Sequence, residues 1–248
     1  MSIQKLDQRF WEVDLLRGIA VLMMITFHLF FDLNYLGIAS FNIQGGLLWF
    51  FGRLTASIFI FLVGASLKLS YMRTVLSRYK GLLILKYVKR GLRILSYGFI
   101  ITFVTWLLIG NGYIIFGVLH FIGVAIILSY PLLRYEKLNI PLAILFIIMG
   151  LFLLNQRFDI NYLFWLGVIP KDFYTLDYFP ILPWMGVVSI GIYTAGKLYN
   201  DYKRRFPLRD FSSYKIIGFL AFIGRHSLFI YFIHQPIIMI ILFMIKIF

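Results

Sequence analysis

Cysteine is absent from the 248-residue chain, which removes disulfides, thiolate nucleophiles and cysteine metal ligands together and leaves the redox compartment undetermined. Charge is scarce as well: Asp, Glu, Lys and Arg make up 14% of the residues, with 10 acidic against 24 basic. Soluble domains carry roughly a quarter of their residues charged, so an ordinary water-facing surface is excluded. Gly/Ser linkers, low-complexity tracts and convincing internal repeats are also missing, and a single domain over residues 1–248 is expected.

What fills the sequence is apolar, at 61% hydrophobic residues and a mean hydropathy of +0.89. Crossing ~30 Å of hydrocarbon takes roughly 20 helical residues. Apolar runs on that scale lie at 15–36, 47–67, 91–109, 113–133, 139–155, 179–199 and 226–247. They are continuous rather than alternating, which favours helices over a barrel. The expectation is an all-α polytopic membrane helix bundle with seven transmembrane helices; 214–223 is a candidate half-span that would make eight. The first run follows acidic as well as basic residues and precedes no small-residue cleavage site, so it reads as a retained helix rather than a signal peptide.

The net charge of +14 does not point to nucleic acid, because the basic residues occupy alternate loops. Lys5 and Arg9 precede the first run; Lys68, Arg73, Arg78, Lys80, Lys86, Lys89, Arg90 and Arg93 join or flank the second and third. Arg134 and Lys137 follow the fourth, and Lys197, Lys203, Arg204, Arg205, Arg209 and Lys215 follow the sixth. The other loops hold Arg157 and Lys171, with Lys246 at the far end. By the positive-inside rule the N-terminus is cytoplasmic in an integral cell-membrane protein.

Ionisable groups inside a bilayer are costly, face the bundle interior and mark function. In "LLRGIAVLMMITFHLFFDL" (15–33), His28 and Asp32 return to within roughly 20° and 60° of the Arg17 face at ~100° per residue. At ~1.5 Å per residue, Arg17 lies near the inner boundary, His28 about 16 Å further out, and Asp32 one turn beyond. By the same rise, His120 lies roughly 12 Å and His234 and Gln235 about 14 Å into their helices. Three histidines from three helices thus share one depth. Each also fits a purely interhelical hydrogen-bonding role, and His226, near the inner boundary, reads as structural. Arg53 sits at the depth of Asp32, and the two are expected to pair or share a polar network, since either alone in lipid would be penalised. "DYFPILPW" (177–184) opens the sixth helix, with Tyr178 and Trp184 suited to the headgroup belt and Asp177 to capping that helix or holding a polar acceptor.

Five segments together, "VDLLRGIAVLMMITFHLFFDL", "IFIFLVGASLKLS", "FGVLHFIGVAIILSYPLL", "DYFPILPWMGVVSIGI" and "GRHSLFIYFIHQP", resemble the prokaryotic branch of the heparan-α-glucosaminide N-acetyltransferase catalytic-domain family. The R-x10-H spacing of Arg17 and His28 is similar to the first-helix signature of the acyltransferase-three family in the wider transmembrane acyltransferase superfamily. The resemblance implies acyl transfer, acetyl above all, from cytoplasmic acyl-CoA to a sugar or glycolipid acceptor on the outer side. It implies His28 as base or nucleophile and Arg17 at the donor thioester. Lys86, Lys89, Arg90, Arg93 and Arg225 would meet the CoA phosphates, although topology alone also accounts for them. Asp32, His120 and His234 would assist catalysis, with Arg53, Asp177, Tyr178, Trp184 and Gln235 on the acceptor side. The lysosomal member's proposed catalytic histidine lies in its first lumenal loop; the matching "GIASFNIQGG" has none, so that acyl-histidine does not carry over. No metal is expected. A proton-coupled transporter, an intramembrane histidine metal site and a non-enzymatic scaffold stand as alternatives. The acceptor, the acyl chain length and the choice between monomer and homodimer stay open.

Overall fold

The computed structural model describes residues 9–77 and 81–247, the side chains of Lys246 and Ile247 excepted. Lys5, Arg78, Lys80 and the Lys246 side chain lie outside the described residues. The chain is all-α and polytopic. Eight helices are found among the described residues: α1 Trp11–Tyr35, α2 Gly46–Leu76, α3 Leu83–Ile109, α4 Val118–Arg134, α5 Asn139–Leu154, α6 Ile181–Leu198, α7 Lys215–Arg225 and α8 Ser227–Ile247. Six helical segments are long and apolar enough to cross a membrane, α5 being counted with the 3-10 turn Glu136–Leu138 that precedes it, and α4 is a shorter apolar helix. The candidate half-span near 214–223 is the separate 11-residue α7. A two-residue hairpin, β1 Tyr199–Asn200 with β2 Lys203–Arg204, is the only sheet among the described residues.

Two compact units make up the chain, Met1–Leu62 with Pro207–Phe248, and Val63–Phe206. In the first, α1 packs against α7 and α8. Gly18 abuts the Leu220 carbonyl and Gly224 the Asp14 carbonyl so closely that a Cβ on either would overlap the oxygen. Small residues at a helix crossing allow this backbone approach. Above the crossing, Val21, Met24 and Ile223 form a buried cluster with Ile25, Phe59, Leu220, Ile230 and Tyr231 against it. The crossing fixes the rotation of α1, turning Asp14, Val21, Met24 and Asp32 inward.

In the second unit α3 pairs with α4 and α5 with α6, and α4 also meets α6. Lys68, which the sequence places among the loop cations, is instead inside α2 and 7% exposed. Its Nζ donates to the Leu133 carbonyl at 3.2 Å and pairs with Glu136 Oε2 at 3.1 Å, while Lys197 approaches Glu136 Oε1 at 3.5 Å. A buried cation is tolerated when charge and carbonyls compensate it. Much of α3, including Phe99, Phe103, Leu107 and Leu108, is exposed, as fits a lipid-facing surface, since lipid replaces water as the solvent for apolar side chains.

The α1–α7 crossing yields a test. Gly224→Ala is expected to destabilise the detergent-solubilised protein by about 1–3 kcal/mol through overpacking. Gly218→Ala, in the same helix but with its nearest atom at 3.4 Å, should be neutral or gain up to about 1 kcal/mol of helix propensity. Thermal unfolding of the two variants measures the contrast.

Candidate active site

His28 and His234 meet in the first unit. Their ring centroids lie 4.8 Å apart with planes at 81°, an edge-to-face contact. Each ring is held by its own helix: His28 Nδ1 bonds the Met24 carbonyl at 2.9 Å and His234 Nδ1 the Tyr231 carbonyl at 2.8 Å. A carbonyl only accepts, so both rings carry a proton on Nδ1 and, when neutral, keep a lone pair on Nε2. His234 is 7% exposed, and its Nε2 is buried without a hydrogen-bond partner. Here are two Lewis bases, already oriented, in an apolar surround.

Asp32 lies one turn beyond His28 on α1 and is 2% exposed. Its partner is Gln235, whose amide nitrogen donates to both carboxylate oxygens at 2.8 Å. The expected pairing with Arg53 is not formed. Arg53 lies over the Trp49 ring, 5.6 Å from its centroid. Depth along a helix matched the two residues, but rotation about the helix decides contact, and α8 presents Gln235 to Asp32 first. The Gln235 Oε1 is left buried and unpartnered. Together with His234 Nε2 it makes two buried acceptors in adjacent residues that a bound donor group would satisfy.

Arg17 is held at 2.8 Å by Asp14, three residues before it, and Arg9 reaches the same carboxylate at 3.9 Å. Asp14, 5% exposed, was missed in the sequence; the i, i+3 spacing of opposite charges in "DLLR" was the available signal. Arg225 is exposed at the α7–α8 junction. His226 there bonds the Phe222 carbonyl through Nδ1 at 2.9 Å, in keeping with a structural role.

His120 has a different setting, in the second unit. Its Nδ1 accepts the Gly117 N–H at 3.3 Å, and its Nε2 lies 3.2 Å from the Thr102 hydroxyl. Thr102 donates to the Ile114 carbonyl, so the Nε2 proton goes to the threonine oxygen. Both nitrogens are engaged in closing the start of α4. Asp177 closes it too: Oδ2 accepts the Val118 N–H at 3.0 Å, against Gly117, where a Cβ would collide with that oxygen. The helix Asp177 caps is therefore α4, not the sixth apolar helix it precedes, because the long connection folds back across the α4 N-terminus. Tyr178 donates to the Phe164 carbonyl at 2.7 Å. Trp184 is 6% exposed and packs on Phe179 at 5.0 Å, which corrects its expected place in a headgroup belt. On α3, Lys86 donates to the Thr74 hydroxyl, and Lys89, Arg90 and Arg93 are exposed. Among the described residues no group of three His, Asp and Glu side chains is placed to hold a metal ion.

Two predictions follow from these contacts. Asp32→Asn and Arg53→Gln should act additively on stability, within about 0.5 kcal/mol, whereas Asp32→Asn with Gln235→Leu should not; double-mutant unfolding cycles read the coupling. At Asp177, burial raises the carboxyl to about 6, outweighing the Val118 N–H bond that lowers it. A carboxyl raised on folding binds its proton more tightly in the native state, so its stabilising contribution is complete below the ordinary value near 4 and is lost as pH rises through about 6. Melting temperatures between pH 4 and 7.5 should fall for the native protein relative to Asp177→Asn.

No curated protein and no solved structure matches the chain. A family model does, described as heparan-alpha-glucosaminide N-acetyltransferase, catalytic, over residues 9–236. That range takes in Arg17, His28, Asp32, His234 and Gln235, and with the apolar helices it marks an integral, multi-pass membrane acetyltransferase. Matched over most of its length, the chain belongs to the heparan-alpha-glucosaminide N-acetyltransferase catalytic family.

Proposed function

We propose that the protein transfers an acetyl group from acetyl-CoA to a hydroxyl or amino group of a sugar or glycolipid acceptor, with His28 as general base and His234 as its partner. The observation that carries this reading is the paired tautomer: both rings spend Nδ1–H on a helix carbonyl and reserve Nε2. A base must sit within hydrogen-bond reach of the proton it removes, and beside His28 the buried, unpartnered Nε2 of His234 awaits a donor. The acceptor supplies that donor.

In this reading the acceptor O–H or N–H hydrogen-bonds to Nε2 of His28, and its oxygen or nitrogen attacks the thioester carbonyl as the proton passes to the ring. The tetrahedral intermediate collapses with cleavage of the C–S bond, and the imidazolium returns the proton to the departing thiolate. Acetylated acceptor and free CoA balance the reaction. Gln235 fixes Asp32 on the turn beyond His28, and its free carbonyl oxygen accepts a hydrogen bond from a second O–H or N–H of the acceptor. Asp14 holds Arg17 for the donor end. Lys86, Lys89, Arg90, Arg93 and Arg225 offer cations to the CoA phosphates by their charge. His120, Tyr178 and Asp177 serve as architecture. The basic loops favour an N-terminus on the cytoplasmic side of the cell membrane.

With labelled acetyl-CoA and purified protein, His28→Ala should lower transfer and CoA release by about 10²–10⁴-fold, the usual worth of a positioned base, while CoA affinity stays within a factor of two or so. His234→Ala should lower turnover as well. A His28→Ala enzyme with native turnover would contradict the proposal.

A further inference from the structure

The first turns of α2 carry a cation that the acetyl-transfer chemistry does not use. Arg53 lies about 10 Å along the helix from Gly46, at ~1.5 Å per residue, inside a candidate membrane span. A charge at such a depth is costly unless something compensates it. Arg17 and Lys68 are compensated, by Asp14 at 2.8 Å and by Glu136 at 3.1 Å. Among the described residues no carboxylate or carbonyl accepts a hydrogen bond from the Arg53 side chain, and its guanidinium lies instead over the Trp49 ring, 5.6 Å from the centroid.

Trp49 is one turn nearer the start of α2, so the guanidinium is drawn back towards the membrane surface at which α1 ends and α2 begins. Long basic side chains reach for the head-group level in this way, and tryptophan marks that level. The ring contact occupies one face of the guanidinium and leaves its in-plane N–H donors for a ligand. Both residues are exposed, and so are Leu47, Phe50 and Leu54. At ~100° per residue these three form one apolar stripe along α2, next to the stripe of Trp49 and Arg53.

We propose that Arg53, braced by Trp49, binds the phosphodiester of a bilayer phospholipid in the leaflet where α2 begins, with the lipid's hydrocarbon against Phe50 and Leu54. The lipid supplies the counter-charge that the protein does not. A planar guanidinium fork donates two parallel N–H bonds to two phosphate oxygens, a match that a point charge cannot make. The apolar stripe selects the source of the phosphate. Inorganic phosphate would have to leave water for a wall of Leu and Phe, whereas a phospholipid holds its phosphate at this level with its chains already in hydrocarbon. A head group built of sugar alone brings no charge to the guanidinium.

The test places the full chain, carbon-13-labelled at the arginine guanidinium, in phosphatidylglycerol bilayers for carbon–phosphorus dipolar recoupling NMR. Subtracting the Arg53→Gln spectrum from the native one isolates a single guanidinium, which lipid phosphorus should dephase strongly. Arg53 is exposed, so folding should survive the substitution, and a melting curve verifies that. In phosphatidylglycerol Arg53→Gln should melt about 2–4 °C below the native chain, and Arg53→Lys, which keeps the charge without the fork, should lose part of that shift. In digalactosyl diacylglycerol, a bilayer lipid without phosphate, the native advantage should vanish, and added inorganic phosphate should not bring it back. His28→Ala should leave every one of these differences unchanged, which separates this site from the fate of the transfer mechanism. The proposal is overturned if the isolated guanidinium shows no phosphorus dephasing, if the melting shift is the same in both lipids, or if inorganic phosphate reproduces it in the galactolipid.

Discussion

A histidine ring in a hydrocarbon interior has two nitrogens to satisfy, and at His28 and His234 the helix backbone satisfies one of them. Each Nδ1–H returns to a carbonyl three or four residues earlier. That bond stiffens the ring and fixes the tautomer, which leaves Nε2 as the reactive atom. Everything else in the first unit serves the meeting of the two rings. The Gly18–Leu220 and Gly224–Asp14 approach sets the rotation of α1. The Val21, Met24 and Ile223 cluster sustains it, and the Asp32–Gln235 bond fixes α1 to α8 one turn beyond. Without the α1–α7 backbone packing that fixes the rotation of α1, His28 would not face His234 on α8 at 4.8 Å.

Polar residues buried in this chain divide by whether their valences are filled. Lys68 is held by a carbonyl and Glu136, His120 by Gly117 and Thr102, and Asp177 accepts from Val118. Such groups hold the fold, since a bonded polar group in an apolar medium is stable and costly to disturb. Among the buried side-chain atoms of the described residues that have no hydrogen-bond partner, His234 Nε2 and Gln235 Oε1 are the two that lie in adjacent residues. Unfilled acceptors buried in neighbouring residues cost free energy in the empty protein, and a ligand that offers protons recovers it.

The stripe of Arg17, His28 and Asp32 was legible in the sequence because helical periodicity alone puts residues 11 and 15 apart on nearly one face. The depth of His234 was legible for the same reason. Periodicity does not specify which neighbouring helix a side chain faces. Arg53 therefore looked as good a partner for Asp32 as Gln235. Asp177 was read on the helix next to it in sequence, whereas the return of the 155–180 connection brings it to α4. Asp14 escaped notice because it sits where acidic residues are ordinary at a helix start, and only its burial beside Arg17 distinguishes it. The local bonds that fix the rings, from His28 to Met24 and from His234 to Tyr231, lie within a single turn, but their formation depends on rotamers that tertiary packing selects.

The central claim concerns where the protons sit, and the chain has just four histidines to assign. Nitrogen-15 NMR of histidine-labelled protein in lipid, with single substitutions for assignment, reports the tautomer of each ring at neutral pH. The account predicts Nδ1–H with an unprotonated Nε2 at both His28 and His234, and the opposite tautomer, Nε2–H, at His120. A proton on Nε2 of both His28 and His234 would leave no lone pair for the acceptor and would contradict the account.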